Sequence, residues 1–146
     1  MPKDMGFSRC LYTSETGGTI TANYMKQSNE EKENVAALKA FAEKGSKVVL
    51  VEAVNKQNIR TADCTIDGVA WEVKTNKTST VSAVDNALHS CNGQSKNLVF
   101  NITSDLTEEK LLKGMKNRIR RTNLENIVIE RNGVIESVYS REDLTK

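Results

Sequence analysis

Three ionisable side chains on two short predicted strands could act together in catalysis. Asp63 lies on the first strand, Glu72 and Lys74 lie on the second, and Asp67-Gly68 stands between them. An Asp-Gly pair between β-rich segments is typical of a two-residue hairpin. Side chains two apart on a strand project from the same face. The sequence therefore predicts a carboxylate on one strand beside a carboxylate and an ammonium on its neighbour.

This arrangement of charges suits hydrolysis of a phosphodiester. Asp63 and Glu72 offer the hard oxygen ligands through which Mg²⁺ binds, together with water and substrate phosphate. Mn²⁺ is an alternative ion, and Zn²⁺ is a weaker one. Such an ion polarises a phosphoryl oxygen and promotes formation of hydroxide. Lys74 could orient the water and offset the charge of the transition state.

A simpler interpretation of the same hairpin is a solvated face. Any amphipathic hairpin can carry Asp, Glu and Lys on the side that faces water. Trp71 and Val73 alternate with the charged residues and are expected to point into the core. The motif is therefore weak by itself, and its context has to decide between the two interpretations.

Composition gives limited guidance on function. The 146 residues are 38% hydrophobic, which suits one domain, and the net charge of +2 does not by itself require a nucleic-acid partner. Three scattered cysteines without a C-x-x-C pair argue against a zinc ribbon or a disulfide framework. The single histidine, His89, disfavours a histidine-rich metal site. No apolar run reaches membrane-spanning length, so we expect no membrane anchor in this chain.

Hydrophobic periodicity and turn residues predict the order of elements. Residues 1–28 are predicted to be an irregular arm, with a loose hairpin conceivable inside it, and residues 29–146 a single domain. The strand–helix–strand order after the motif indicates a crossover and a partly parallel sheet. The predicted elements are a helix over 29–44, a buried strand over 47–53, the motif hairpin over 61–74, a helix over 80–92, a strand over 97–102, a helix over 107–122 and a closing hairpin over 126–139.

The third predicted helix carries the strongest local positive charge. Its acidic residues stop after Glu109, and basic residues follow. A charged helix exterior is usually only solvated, but contact with nucleic-acid phosphates is an equally good interpretation. The candidate phosphate-binding residues are Lys113, Lys116, Arg118, Arg120 and Arg121, with Lys77 in the loop after the motif as an alternative.

Asp63 followed by Glu72-x-Lys74 resembles the core motif of the PD-(D/E)XK nucleases, with Ala62 in place of the usual proline. The predicted elements over 29–102 follow the αβββαβ order of that fold, which implies a mixed α/β sheet, here extended by the basic helix and the C-terminal hairpin. More narrowly, the chain resembles the C-terminal toxin domains of CdiA, the contact-dependent growth inhibition effectors. The segments that carry this resemblance are 41–48, 61–63, 66–74, 82–87 and 97–100.

The resemblance has further implications for the site and its partners. It implies that Glu33 completes the metal site or supports it, and that Gln94 holds the site or the substrate. It also implies a metal-dependent endonuclease that cleaves RNA, with transfer RNA favoured, and a cognate immunity protein. Such a domain is delivered as part of a larger secreted protein and acts in the cytoplasm of the target bacterium.

Two other functions remain open from the sequence. One is a DNA endonuclease of restriction or resolvase type on the same fold, which would differ in substrate alone. The other is a non-catalytic nucleic-acid-binding module, which the intact Asp63, Glu72 and Lys74 disfavour. No base-reading motif, such as an aromatic stripe, supports a pure binding module.

Overall fold

The protein is built around one mixed β-sheet. A computed structural model describes residues 8–24, 29–51, 62–91 and 96–146. A 3₁₀ turn over Ile119–Arg121 extends the third helix. In chain order the elements are β1 (Arg9–Thr13), β2 (Thr19–Ala22), α1 (Asn29–Glu43), β3 (Lys47–Leu50), β4 (Cys64–Ile66), β5 (Val69–Asn76), α2 (Val81–His89), β6 (Asn97–Ile102), α3 (Glu108–Arg118), β7 (Asn126–Arg131), β8 (Val134–Ser140) and α4 (Arg141–Thr145).

The strands of the sheet lie side by side in sequence order, from β1 to β8. Three neighbouring pairs are parallel, β2–β3, β5–β6 and β6–β7, and α1, α2 and α3 connect them in turn. The other pairs are antiparallel hairpins. The predicted helix–strand order over 29–102 is confirmed, since α1, β3, β4, β5, α2 and β6 follow one another. The assignment to the PD-(D/E)XK fold stays a prediction.

The sheet separates two hydrophobic cores. On one face, α1 packs through Leu38 and its neighbours onto side chains such as Val48 and Val73. On the other face, α2 and α3 pack through residues such as Leu88 and Met115 onto β6 and β7. Strand β6 is buried on both faces, because Val99 belongs to the first core and Phe100 to the second. Any side chain of β5 or β6 can therefore be assigned to a face by its register.

The expectation of an irregular N-terminal arm is wrong for its described part, whereas the hairpin expected inside it is confirmed. Strands β1 and β2 form a hairpin, and β2 pairs in parallel with β3. Ile20 and Ala22 are fully buried in the α1 core. Gly18 has to be glycine, because a Cβ there would lie 1.8 Å from the carbonyl oxygen of Ala42 at the end of α1. These strands of five and four residues are too short to show a clear periodicity, and burial against α1 decides their structure.

An ion pair fastens this hairpin to the first helix. Arg9 Nη2 donates to Glu31 Oε2 over 2.6 Å, and both side chains are largely buried. Glu31 therefore has a tertiary partner in addition to the expected favourable position in the first turn of the helix.

Backbone conformation confirms the predicted turn at Asp67-Gly68 and shows a turn of the same kind at Asn132-Gly133 in the closing hairpin. Asp67 and Gly68 have φ angles of 51° and 87°, and Asn132 and Gly133 have 52° and 85°. Two successive positive φ angles define the type I′ turn, whose twist matches that of the strands it joins. The first turn sets the register of β4 against β5, and thereby the positions of the candidate catalytic residues.

Candidate active site

Asp63 directly precedes strand β4, and Glu72 lies on the neighbouring strand β5. Cys64 pairs with Trp71 in the antiparallel β4–β5 ladder. If this register continues by one residue beyond the start of β4, Asp63 is across from Glu72. The Asp63 carboxylate is held against β5, because its Oδ2 accepts the backbone N–H of Val73 over 2.8 Å. The type I′ turn at Asp67 thus brings the Asp63 carboxylate against β5, at the residue that follows Glu72.

Lys74 lies on the same face of the sheet as Glu72. In the parallel β5–β6 ladder, Glu72 is in register with Leu98 and Lys74 with Phe100. Leu98 and Phe100 both belong to the core that α2 and α3 cover. The predicted placement of Glu72 and Lys74 on one face therefore agrees with the register of the strands.

Trp71 and Val73 point to the opposite face, as predicted. Both pack into the core beneath α1, where the Trp71 ring lies 6.3 Å from the Phe41 ring between centroids. Trp71 is thus a packing residue at the back of the site. It does not lie on the Glu72 side of the strand, where it could stack on a substrate base.

The carboxylates do not stand on a merely solvated face. Glu72 is only 2% exposed, and Asp63 and Lys74 are half-buried. Burial raises the pKa of the neighbouring Cys64 thiol strongly, and the negative charges of Asp63 and Glu72 raise that pKa further. The thiol is therefore protonated and inert, and both carboxylates are close enough to affect it.

The donor set suits a divalent ion held by two carboxylates rather than three. Asp63 and Glu72 are hard oxygen donors on adjacent strands, which is the protein contribution that Mg²⁺ usually takes. Among residues 8–24, 29–51, 62–91 and 96–146, no three His, Cys, Asp or Glu side chains are grouped so that they could hold a metal ion. The expected third carboxylate, Glu33, is therefore not brought to the pair.

Glu33 instead forms an ion pair with Lys77. Lys77 lies five residues beyond Glu72, roughly 16 Å of extended chain. Glu33 reaches it from α1, on the other side of the sheet from α2. This placement explains in physical terms why Glu33 does not join the two strand carboxylates.

The Glu33–Lys77 pair lines a cavity of about 290 Å³ at the carboxyl end of β5. Thr75, Asn76 and Thr78 supply its polar wall. Ala83 and Ala87 of α2 and Phe100 of β6 supply apolar surface. The cavity therefore opens where α1 and α2, from opposite faces, meet the end of the same strand.

The part of the sequence that contains Asp63, Glu72 and Lys74 matches a known family. Residues 60–135, just over half of the chain, match the model of the contact-dependent growth inhibition CdiA C-terminal domain. The chain belongs to this family. The chain is also similar to a solved chain of the CdiA-CT/CdiI toxin and immunity complex from Burkholderia pseudomallei, with 18% identity, a TM-score of 0.53, and coverage of 80% of this chain and 90% of that one. No curated protein matches the chain.

Membership in the family of CdiA C-terminal domains identifies the chain as a toxin domain of contact-dependent growth inhibition. At 18% identity, the solved structure shows a shared fold and does not transfer residue roles. Within the described ranges, no helix of this CdiA C-terminal domain is long and apolar enough to cross a membrane.

The basic residues of α3 that were predicted to bind phosphate differ in their exposure to solvent. Lys113 and Lys116 extend from α3 into solvent. Arg118 is largely buried and is held by Asp85 of α2, with 2.6 Å between Nε and Oδ1. Arg118 therefore joins two helices.

The remaining predicted contacts lie near the ends of elements. Arg120 donates to the backbone carbonyl of Thr145 over 3.0 Å, and Arg121 to that of Asn117 over 3.2 Å. Both arginines and Lys77 are exposed. Gln94, the predicted polar residue after the second helix, lies outside the described residues.

The structure adds one acidic residue that the sequence analysis did not single out. Glu130 on β7 is fully buried, neither of its carboxylate oxygens has a hydrogen-bond partner among the described residues, and burial raises its pKa to about 8. It pairs in register with Asn101 and lies on the α1 side of the sheet. The sequence does contain a signal for this burial. Glu130 is two positions from Val128, on a strand whose side chains are buried on both faces.

Proposed function

We propose that this toxin domain is a divalent-metal-dependent endonuclease that cleaves RNA, with transfer RNA as the favoured substrate. The observation that carries the proposal is the 2.8 Å hydrogen bond from the Val73 N–H to Oδ2 of Asp63, which holds that carboxylate against β5 beside the residue that follows Glu72. Lys74 shares the face of the sheet on which Glu72 lies. Two carboxylates and an ammonium in a recessed site are the groups that phosphodiester hydrolysis requires.

Each residue has a separate task in this proposal. Asp63 and Glu72 would hold the ion, which supplies Lewis-acid activation of the phosphate and of a water molecule when it is bound. Lys74 offsets the negative charge that develops on the phosphoryl oxygens. The bond from the Val73 N–H keeps the Asp63 carboxylate in a fixed orientation before the substrate arrives. Trp71 packs behind the site and supports β5.

Substrate binding is assigned to phosphate contacts. Lys113 and Lys116 are exposed on α3, which lies on the same face of the sheet as Glu72. The candidate site offers few aromatic rings for stacking, so recognition would depend on backbone charge and shape, which suits a folded RNA. The preference for transfer RNA over DNA rests on the family resemblance described above.

We further propose a cognate immunity protein that neutralises this toxin. The similar Burkholderia pseudomallei chain was solved in a toxin and immunity complex. We also propose that the domain is delivered from a larger secreted protein and acts in the cytoplasm of the target bacterium. The family membership supports each part of this proposal.

The proposal is tested by incubating the purified protein with total transfer RNA or with plasmid DNA, each with Mg²⁺ and with EDTA. We expect cleavage of transfer RNA with Mg²⁺ and none with EDTA. Glu72→Gln should be inactive, while Glu136→Gln, a matched change on the exposed edge strand β8, should be fully active. Cleavage of plasmid alone would establish the DNA alternative. Cleavage that EDTA leaves unchanged would overturn the metal assignment.

Expression inside bacteria provides a second readout. The wild-type domain should stop growth and shorten small RNAs while chromosomal DNA stays intact. The Glu72→Gln variant should be harmless. Fragmented chromosomal DNA with intact transfer RNA would reject RNA as the substrate.

A further inference from the structure

The cavity at the carboxyl end of β5 has the features of a small-molecule site. Ligands of open α/β sheets bind beyond the carboxyl ends of strands where helices leave on opposite faces. Strands β5 and β6 are parallel, α2 leaves β5 on one face, and α1 covers the other. The volume of about 290 Å³ is at the small end of ligand sites.

The charges at this cavity select the kind of ligand. Glu33 and Lys77 neutralise each other as an ion pair and are both accessible to solvent. A phosphate would be attracted by Lys77 but repelled by Glu33, so the pair does not favour an anion. A neutral ligand edge that carries a hydrogen-bond acceptor next to a hydrogen-bond donor matches this pair. Its acceptor can face the ammonium, and its donor can face the carboxylate.

Apolar surface from α2 sets the shape of the ligand. Ala83 and Ala87 line the cavity with small side chains, and Thr75 and Thr78 bring hydroxyl groups. A flat heterocycle can lie against methyl groups while its polar edge meets the charged pair. Nucleobases have this combination of apolar faces and a polar edge.

We propose that this cavity binds one unstacked guanine base of the substrate RNA, a proposal that rests on the nuclease function above. The guanine O6 accepts a hydrogen bond, and its adjacent N1–H and N2–H groups donate. Lys77 donates to O6, and the Glu33 carboxylate accepts from both N–H groups. Adenine and cytosine reverse part of this pattern, and uracil lacks the second donor. Glu33 is then a specificity residue.

Binding of mononucleotides tests the proposal without any cleavage. GMP, AMP, CMP, UMP and ribose 5-phosphate are titrated into the wild-type protein in EDTA and followed by calorimetry. GMP should bind about tenfold or more tightly than each of the others, since a bidentate contact discriminates by this much. Equal binding of all four nucleotides, or binding of ribose 5-phosphate as tight as that of GMP, would overturn the assignment to a base. Absence of saturable GMP binding at millimolar concentration would overturn it as well.

Two variants locate the binding. Glu33→Gln should weaken GMP binding about tenfold or more, and Ala83→Leu should block it by filling the cavity without changing charge. Glu30→Gln, with the same charge change in the first turn of α1, should leave GMP binding unchanged. Circular dichroism confirms that each variant is folded. Unchanged binding in folded Ala83→Leu would place guanine elsewhere.

The two proposals fail separately. If GMP binds as described but no nucleic acid is cleaved, the nuclease proposal is wrong and the guanine site stands. If transfer RNA is cleaved but GMP does not bind, the guanine site is wrong and the nuclease proposal stands.

Discussion

The backbone N–H of Val73 donates to Oδ2 of Asp63 over 2.8 Å, so a carboxylate proposed to bind metal also fastens one strand to the next. The bond links the residue before β4 to the middle of β5. Its structural role can be separated from the proposed catalytic role, because an amide can replace a carboxylate as acceptor but has no charge.

Asp63→Asn and Asp63→Ala are expected to differ in stability and to agree in activity. Asparagine keeps an oxygen that can accept from Val73, whereas alanine leaves a partly buried N–H without that acceptor. We expect Asp63→Ala to lower the free energy of unfolding by about 1–2 kcal/mol more than Asp63→Asn does. Both should lose at least ~10²-fold in cleavage rate. Urea denaturation and a cleavage assay measure the two effects, and full activity in Asp63→Asn would exclude a metal-binding role.

The ion pair between Arg118 and Asp85 is expected to stabilise the packing of α3 on α2. The two side chains are each less than a quarter exposed and are joined over 2.6 Å. A double-mutant cycle with Arg118→Ala and Asp85→Ala should give a coupling free energy of about 1 kcal/mol. The more exposed pair of Arg131 and Glu136 serves as the control, with an expected coupling below about 0.5 kcal/mol. Equal coupling in the two pairs would contradict the role assigned to burial.

Lys113 and Lys116 are expected to carry the salt dependence of RNA binding. Replacing both by Gln should reduce the slope of log K against log salt by about 2, one for each lost phosphate contact. Replacing Lys44 and Lys47, which are exposed at the end of α1 and the start of β3, should leave the slope unchanged. Filter binding in EDTA avoids cleavage during the measurement. A slope that changes only with the control pair would move the binding surface to the α1 side.

Glu130 is expected to make stability depend on pH. Its pKa is raised from 4.5 to about 8 in the folded protein, so the folded state keeps a proton that the unfolded state releases in this range. The free energy of unfolding should therefore fall as pH rises from about 4.5 to about 8 and then level off. The expected total is at most a few kcal/mol.

Glu130→Gln is the matched variant for this effect, because it keeps the size of the side chain and cannot ionise. The free energy of unfolding of this variant should not show the fall between about pH 4.5 and pH 8 that Glu130 causes in the wild type. The stability of the variant relative to the wild type should therefore increase as the pH rises from 5 to 8. Urea denaturation at several pH values measures it. Parallel pH profiles for the two proteins would show that Glu130 does not titrate in this range.

The local features of the hairpin could be predicted from the sequence. Asp67-Gly68 determines a type I′ turn through its positive φ angles, and strand alternation then separates Glu72 and Lys74 from Trp71. The order of helices and strands over 29–102 was predictable for the same reason, since periodicity and glycine are local signals. The turn at Asn132-Gly133 has an equally local signal, because an Asn-Gly pair also favours the type I′ conformation.

Only the tertiary structure decided which distant residues meet. The hairpin of β1 and β2 joins the sheet because Ile20 and Ala22 are buried against α1. The hydrophobic pattern of so short a segment does not predict this burial. Glu33 pairs with Lys77 rather than with the strand carboxylates, because the position of α1 across the sheet sets its reach. Arg118 belongs to a helix contact because α2 presents Asp85 to it. Such contacts depend on packing between elements, and packing is a property of the whole fold rather than of any segment.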